Sequence, residues 1–339
     1  MRKKILKKNY FRVSVAPMMD WTDRHCRYFH RQLSRHVVLY TEMVVADAII
    51  HGPRERLLRF DPVEHKVALQ LGGSDPDKLR EASRIGAGFG YDEINLNVGC
   101  PSDRVQSGRF GACLMAEADL VATCFQAMRD GAQDGSGKAP SVTIKCRLGI
   151  DDQVLDKTLP HFIETASGAG CETIIIHARK AWLKGLSPKE NRTVPPIDYD
   201  RVHATKSRFP HMRVELNGQL ESVPHALSVA DGLDGAMFGR AAYNDPWILT
   251  GVDPVYGDAP PVMSRQRVSE SLIHYLERVQ DHDRTAKALL RHVMGLYAGQ
   301  AGARLWRRTL SEGLAAKDRP SDILHRALAT MTQATADAA

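Results

Sequence analysis

Short β-rich runs alternate with helix-spaced stretches along most of this chain. The runs are Arg12–Met18, Val37–Val44, Lys66–Leu71, Glu93–Val98, Ser141–Leu148, Thr173–Ala178, Arg213–Asn217 and Gly235–Gly239. Several are nearly continuous in apolar residues, as expected of parallel strands covered on both faces. After the fourth run, Leu120, Cys124, Ala127 and Met128 fall at helical spacing. Separations of about 20–45 residues suit strand–helix units, and eight units in about 240 residues match the size of a (β/α)8 barrel. The alternative is an open doubly wound sheet, but no G-x-G-x-x-G follows the first run. The predicted fold is therefore α/β, a TIM (β/α)8 barrel followed by a small C-terminal helical domain.

A barrel gives meaning to the polar residues at the strand ends, because sites of this fold lie at the C-terminal ends of the strands. Those ends carry Pro17-Met18-Met19, Gln70, Asn97, Lys145, His177, Asn217 and Gly239-Arg240. Any one could be a cap or a satisfied core group; their recurrence at equivalent positions points to a site. Gly218 and Gly239 follow the seventh and eighth runs, where this fold often binds phosphate through backbone N–H groups, and Arg240 can complement the charge. Lys145 and His177 pointing inward then fit a flavin mononucleotide (FMN). A lysine at the ring's N1–O2 edge would stabilise the charge that develops on reduction, and Gln70 could bond the polar edge.

After Trp247 the pattern changes. Gly251–Pro261 holds three prolines and two glycines and reads as a linker. Val268, Leu272, Tyr275, Leu276 and Val279 then share a helical face, and further helices are expected over Thr285–Tyr297 and Asp322–Thr332, the last with Ser321 near its N-cap. Residues 1–249 are assigned to the catalytic barrel and 250–339 to the helical domain.

Composition adds limits. The chain has 339 residues, 43% hydrophobic and 25% charged, ordinary values for a soluble enzyme. No apolar run is long enough to span a membrane. Met1–Lys8 is basic but leads into no apolar signal core, so a cytoplasmic protein with a basic tail is expected. The six cysteines form no C-x-x-C pair, which argues against structural zinc and iron–sulfur clusters, and no metal is expected. A formal net charge of +6 says little alone, but Arg284–Arg308 holds six Arg or Lys and no acid. Such a run is either a solvated face or a contact for a polyanion.

Several motifs in order resemble the tRNA-dihydrouridine synthases: Val15-Ala16-Pro17-Met18-Met19-Asp20, Asn97-Val98-Gly99-Cys100-Pro101-Ser102, Lys145-Cys146-Arg147 and His177-Ala178-Arg179-Lys180. Gly108-Arg109-Phe110-Gly111-Ala112-Cys113 and Gly185-Leu186-Ser187-Pro188-Lys189-Glu190-Asn191-Arg192 narrow the resemblance to the A-type enzymes. It runs from about Val13 to Arg308. The resemblance implies bound FMN, NADPH as reductant, and reduction of the C5–C6 double bond of uridine at positions 20 and 20a of the tRNA D loop. It places FMN contacts on Pro17, Met18, Met19, Gln70, Lys145, His177, Asn217, Gly218, Gln219, Gly239 and Arg240, and a nucleotide contact on Asn97. One departure is Gln219, where the family commonly has a second glycine after Asn-Gly. If that position needs φ > 0, Gln219 carries strain.

Reducing the uracil ring needs a hydride at C6 and a proton at C5. Cys100 is the expected proton donor, since an ordinary thiol pKa of about 8.5 keeps it mostly protonated at neutral pH. Lys189 and Arg192, with Arg304 and Arg307, are the expected tRNA contacts, and Arg308 is a weaker addition. A monomer is expected. The main alternative function is a flavin barrel reductase or dehydrogenase of a free pyrimidine, which needs no basic helical appendage. A pure RNA-binding protein leaves Lys145, His177 and Arg240 unexplained. A metal-assisted aldolase or hydrolase needs a carboxylate–histidine cluster, of which His177 is the one clear member.

Overall fold

A computed structural model of the protein describes residues 11–135, 139–262 and 264–336. The basic stretch Met1–Lys8 lies outside them. All eight expected strands form: β1 (Arg12–Val15), β2 (Val38–Val45), β3 (Val67–Gly72), β4 (Glu93–Val98), β5 (Ser141–Arg147), β6 (Thr173–His177), β7 (Arg213–Asn217) and β8 (Gly235–Phe238). Each pairs in parallel with its sequence neighbours, and β8 returns to β1 in the register Arg12↔Gly235 to Val15↔Phe238. The result is a closed TIM barrel. β1 stops three residues before the expected Met18. Ala16 N–H still reaches the Phe238 carbonyl at 2.7 Å, but Pro17 has no N–H with which to extend the ladder.

Every residue of β3 and β4 is buried, although only β3 reads as a nearly continuous apolar run, while β4 alternates Glu93, Asn95 and Asn97 with apolar residues. Val38, Tyr40, Ala68, Ile175 and Met237 form an interior cluster with Ala16, and Met18 packs against it. Side-chain caps start several of the crossover helices. Asp75 accepts from the N–H groups of Asp77 and Lys78 ahead of Pro76–Gly88, and Asp198 accepts from Arg201 N–H ahead of Tyr199–Arg208.

The chain forms two compact units. One holds the residues through Asp20 and Val38–Gly239; the other holds Trp21–Val37 and Arg240–Ala339. Whereas the sequence pattern divides the chain at 249/250, compactness divides it at Gly239/Arg240. It also places the helix Arg24–Leu33, which follows β1, in the second unit.

In that second unit, Ser264 caps the helix Arg265–Val279, and the helices Ala303–Ala316 and Pro320–Ala336 follow. The helix expected over Thr285–Tyr297 is broken. It becomes a 3-10 turn at Ala286–Ala288, a single α-turn at Leu289–His292 and a further 3-10 turn at Val293–Gly295. At Gly295 the last of these turns passes close to another backbone, since a Cβ there would lie 2.3 Å from the Asn244 carbonyl oxygen. Ser321 is the second residue of its helix rather than the cap, and its N–H goes to Gln280 Oε1 at 3.0 Å.

The expected linker Gly251–Pro261 is instead anchored. Asp253 is fully buried in it and accepts hydrogen bonds from the Ser34 hydroxyl and the backbone N–H groups of Arg35 and His36. Its Pro and Gly content marks a tight 3-10 turn, Asp253–Tyr256, not a free tether. Among the described residues, no helix is long and apolar enough to cross a membrane.

Candidate active site

Cys100 lies just beyond β4, in a loop whose backbone is held from three directions. Asn97 Oδ1 accepts from the N–H groups of Gly99 and Cys100 at 3.1 and 3.0 Å. The Cys100 carbonyl accepts from Ala112 N–H at 2.9 Å. The Gly99 carbonyl accepts from Arg147 Nε at 3.2 Å. Gly111 makes this close approach possible, because a Cβ there would sit 2.5 Å from the Cys100 carbonyl oxygen and its φ is +75°. The Gly108–Cys113 motif thus serves as the second wall of the cysteine loop. The thiol is partly exposed and lies 3.5 Å from the Ser102 hydroxyl.

The ends of β5, β6 and β7 bring the other expected residues together. Lys145 Nζ donates to Asn217 Oδ1 at 3.0 Å, and Asn217 Nδ2 donates to the Met237 carbonyl at 2.7 Å. That second bond fixes which face of the Asn217 amide meets the lysine. Burial pushes the Lys145 pKa down to about 7, and Arg147 adds to the effect. His177 is pushed well below its ordinary value, first by burial and then by Arg147, Lys145, Arg179 and Arg192. It is therefore neutral at physiological pH. The leading charges acting on His177 are all cationic, so this end of the barrel has an excess of positive charge that suits an anionic guest. Cys100 is close enough to influence the ionisation of both Lys145 and Arg147.

After β7, Gln219 adopts φ +50°, so the strain foreseen for a non-glycine residue is present. The structure also shows what offsets it. Arg179, buried, donates through Nη2 to Gln219 Oε1 at 2.5 Å, a bond that glycine could not make. Gln70 is buried with its amide engaged by Asn95 on one side and Asn97 on the other. Pro17 and Met18 are half-buried and Met19 is exposed. Gly239 ends the barrel sequence, and Arg240 begins the short helix Arg240–Asn244.

Residues 14–335 match the family model described as "Dihydrouridine synthase (Dus)". The chain belongs to the dihydrouridine synthase family. It is 49% identical over 317 residues to the tRNA-dihydrouridine(20/20a) synthase of Synechocystis sp., covering 93% of each chain. Against the enzyme of the same name from Escherichia coli (strain K12) it is 50% identical, covering 94% of this chain and 90% of the relative. Among solved structures, a 2-naphthoyl-CoA reductase matches 72% of this chain and 50% of its own, with a TM-score of 0.50 and 11% identity, a likeness of fold alone.

As a dihydrouridine synthase the chain is an oxidoreductase acting on tRNA, and its exposed cations gain interest. Lys189 and Arg192 are exposed on the loop after β6. Arg304 and Arg307 are exposed on the helix Ala303–Ala316, whose opposite side buries Trp306 and Leu310, and both line a surface groove. Arg308 on the same helix pairs with Glu312 at 2.7 Å. Among the described residues, no His, Cys, Asp or Glu cluster could hold a metal ion.

Arg147 belongs to the site although its motif alone gave it no role. It is buried, and besides Gly99 it donates to the carbonyls of Lys180 and Asn191 at 3.1 and 2.7 Å. It thereby joins the cysteine loop to the loop that carries Lys189 and Arg192. Its signal in the sequence is an arginine two residues after Lys145 on a strand, which puts both on one face.

Proposed function

We propose that the protein is an FMN-dependent, NADPH-using synthase that reduces uridine to dihydrouridine at positions 20 and 20a of the tRNA D loop, in the cytoplasm. The residues fit the cofactor by their chemistry. Lys145 with Arg147, Arg179 and Arg192 form a cationic surround, and the backbone at Gly218, Gln219, Gly239 and Arg240 offers N–H groups to a phosphate. When bound, the flavin supplies the hydride that goes to C6 of the base.

This chain's own residues do the rest. Pro17, Met18, Met19 and Gln70 line the ring. Lys145 offers positive charge where the reduced ring is anionic, while neutral His177 binds without adding a second charge. Asn97 holds the uracil through the Nδ2 hydrogen not spent on Gln70. Cys100 gives its thiol proton to C5, and the thiolate left behind faces the cations Lys145 and Arg147. The observation that carries this reading is the rigid three-sided hold on the Cys100 loop, which presents a partly exposed thiol beside that cationic cluster.

The target base has to leave its stack, at a cost of a few kcal/mol, and phosphate contacts offset it. Lys189 and Arg192 on the barrel unit, and Arg304 and Arg307 on the helical unit, supply them. Relatives of nearly equal length named for positions 20 and 20a support the choice of nucleotides. The absorption spectrum of the purified protein tests the reading. A flavin spectrum bleached by NADPH and restored by unmodified tRNA, but not by uracil or orotate, is expected. Restoration by a free pyrimidine would favour the alternative barrel reductase.

A further inference from the structure

Three residues of β4, Glu93, Asn95 and Asn97, alternate with apolar ones, so all three face the barrel interior. They span about 13 Å, from the N-terminal end of the strand to the edge of the cysteine loop. A continuous chain of hydrogen bonds joins them through side chains of β3 and β5. Glu93 accepts from Arg12 Nη2 at 2.5 Å, from the Tyr40 hydroxyl, and from the Thr143 hydroxyl at 2.6 Å. Thr143 Oγ1 accepts from Asn95 Nδ2 at 2.7 Å. Asn95 Oδ1 accepts from Gln70 Nε2 at 2.8 Å, and Gln70 Oε1 accepts from Asn97 Nδ2 at 2.8 Å. Asn97 Oδ1 then accepts the N–H groups of Gly99 and Cys100.

The direction of the bonds is set at both ends, by an acceptor at Glu93 and by the two backbone N–H donors of the cysteine loop. A carboxylate accepts and cannot donate, so the single hydroxyl hydrogen of Thr143 is committed to Glu93. The oxygen of Thr143 therefore meets the NH2 end of Asn95, which turns the carbonyl of Asn95 towards Gln70. Gln70 in turn shows its oxygen to the NH2 of Asn97. What remains for the cysteine loop is the oxygen of Asn97, the one atom of that side chain that two backbone N–H groups can use. Reversing any amide sets donor against donor in a region closed to water, where Gln70 and Asn95 are at most 1% exposed.

We propose that Glu93, acting through Thr143 and the amides of Asn95, Gln70 and Asn97, is the positioning residue that fixes the Cys100 loop from the far end of the barrel. Arg12 and Tyr40 hold Glu93 in place for this role, and a second ion pair from Arg12 to Glu215 at 3.0 Å steadies the arginine. The role rests on Cys100 being the proton donor, but the polarity of the chain does not.

Thr143→Val tests it in the flavin-loaded full-length protein, since it keeps the shape and removes the hydroxyl. Asn95 Nδ2 then loses its acceptor and the amide chain loses its anchor at Glu93. Alkylation of Cys100 by iodoacetamide, followed by mass spectrometry of its peptide, is expected to rise about threefold as the thiol leaves its fixed position. Oxidation of the reduced flavin by tRNA is expected to slow about tenfold, while reduction by NADPH is unchanged. Thr143→Ser, which retains the hydroxyl, should restore both values. Wild-type alkylation and oxidation in Thr143→Val would overturn the proposal. Should that variant fail to load flavin, Glu93→Gln takes its place with the same two readouts, and failure of both to fold would assign the chain to stability alone and overturn it equally. If Cys100→Ala reacts normally with tRNA, the chemical role of Cys100 falls, but the alkylation readout still reports the placement of its thiol.

Discussion

Arg147 Nε lies 3.2 Å from the carbonyl oxygen of Gly99, the residue before Cys100, and the same guanidinium reaches the carbonyls of Lys180 and Asn191. A planar fork with several donors can span three carbonyls from two loops; an ammonium cannot. Arg147→Lys should therefore leave buried carbonyls without donors and cost about 2–3 kcal/mol in urea unfolding. It should also slow the tRNA-dependent oxidation of reduced flavin by about a hundredfold, because the thiol is displaced. A lysine variant with wild-type stability and rate would show that the fork holds nothing in place.

Lys145 makes flavin binding depend on pH. Its pKa is pushed down to about 7, chiefly by burial. A hydrogen-bond acceptor bound beside it, such as the N1–O2 edge of the flavin ring, favours the protonated amine and raises that value, so binding takes up a proton when the free lysine is neutral. Affinity of the flavin-free protein for FMN should thus fall as pH rises above about 7, where the flavin phosphate is already dianionic and adds no slope of its own. A loss of about tenfold between pH 7 and about 9 is expected by titration calorimetry, and Lys145→Met should bind weakly with little slope. An affinity that climbs with pH in the wild type would place the lysine away from the flavin.

Gln219 sets backbone strain against a side-chain bond. Its φ of +50° costs about 1 kcal/mol, and its bond from Arg179 returns about as much. Gln219→Ala keeps the strain and loses the bond, so it should lower stability by about 1–2 kcal/mol. Gln219→Gly loses the bond but relieves the strain, and should be the more stable of the two. Equal stabilities in denaturant would mean that the backbone conformation carries no penalty.

The exposed cations Lys189, Arg304 and Arg307, unlike Arg192, whose charge acts on Lys145 and His177, are expected to act on tRNA affinity and not on the flavin. Reversing their charges should weaken tRNA binding and reduce the slope of log affinity against log salt, by about 0.7–0.9 for each phosphate no longer neutralised. Reduction of the flavin by NADPH should be unaffected. An unchanged salt slope would remove these residues from the interface.

Much of this was readable from residue order. All eight strands appeared as short β-rich runs, most of them largely apolar, and the residues ending them marked one mouth of the barrel. What stayed hidden depends on neighbours distant in sequence. Asp253 looks like part of a linker until Ser34, Arg35 and His36 are seen donating to it. The Asn244 backbone lies so close to Gly295 that only glycine fits there, which the sequence alone does not reveal. The strain at Gln219 could be foreseen, but its partner, 40 residues away, could not. Glu93 and Asn95 carried a faint signal in the alternation along β4. Their alternation with apolar residues shows a shared face, whereas their connection through Gln70 and Thr143 needs the neighbouring strands.

The most direct measurement is single-turnover oxidation of NADPH-reduced, FMN-loaded Cys100→Ala by unmodified tRNA, followed at the flavin absorbance. With Cys100 as the proton donor, flavin loading and reduction proceed as in the wild type and oxidation on tRNA slows by about two to four orders of magnitude. Oxidation at the wild-type rate, with dihydrouridine formed, would contradict the role given to Cys100.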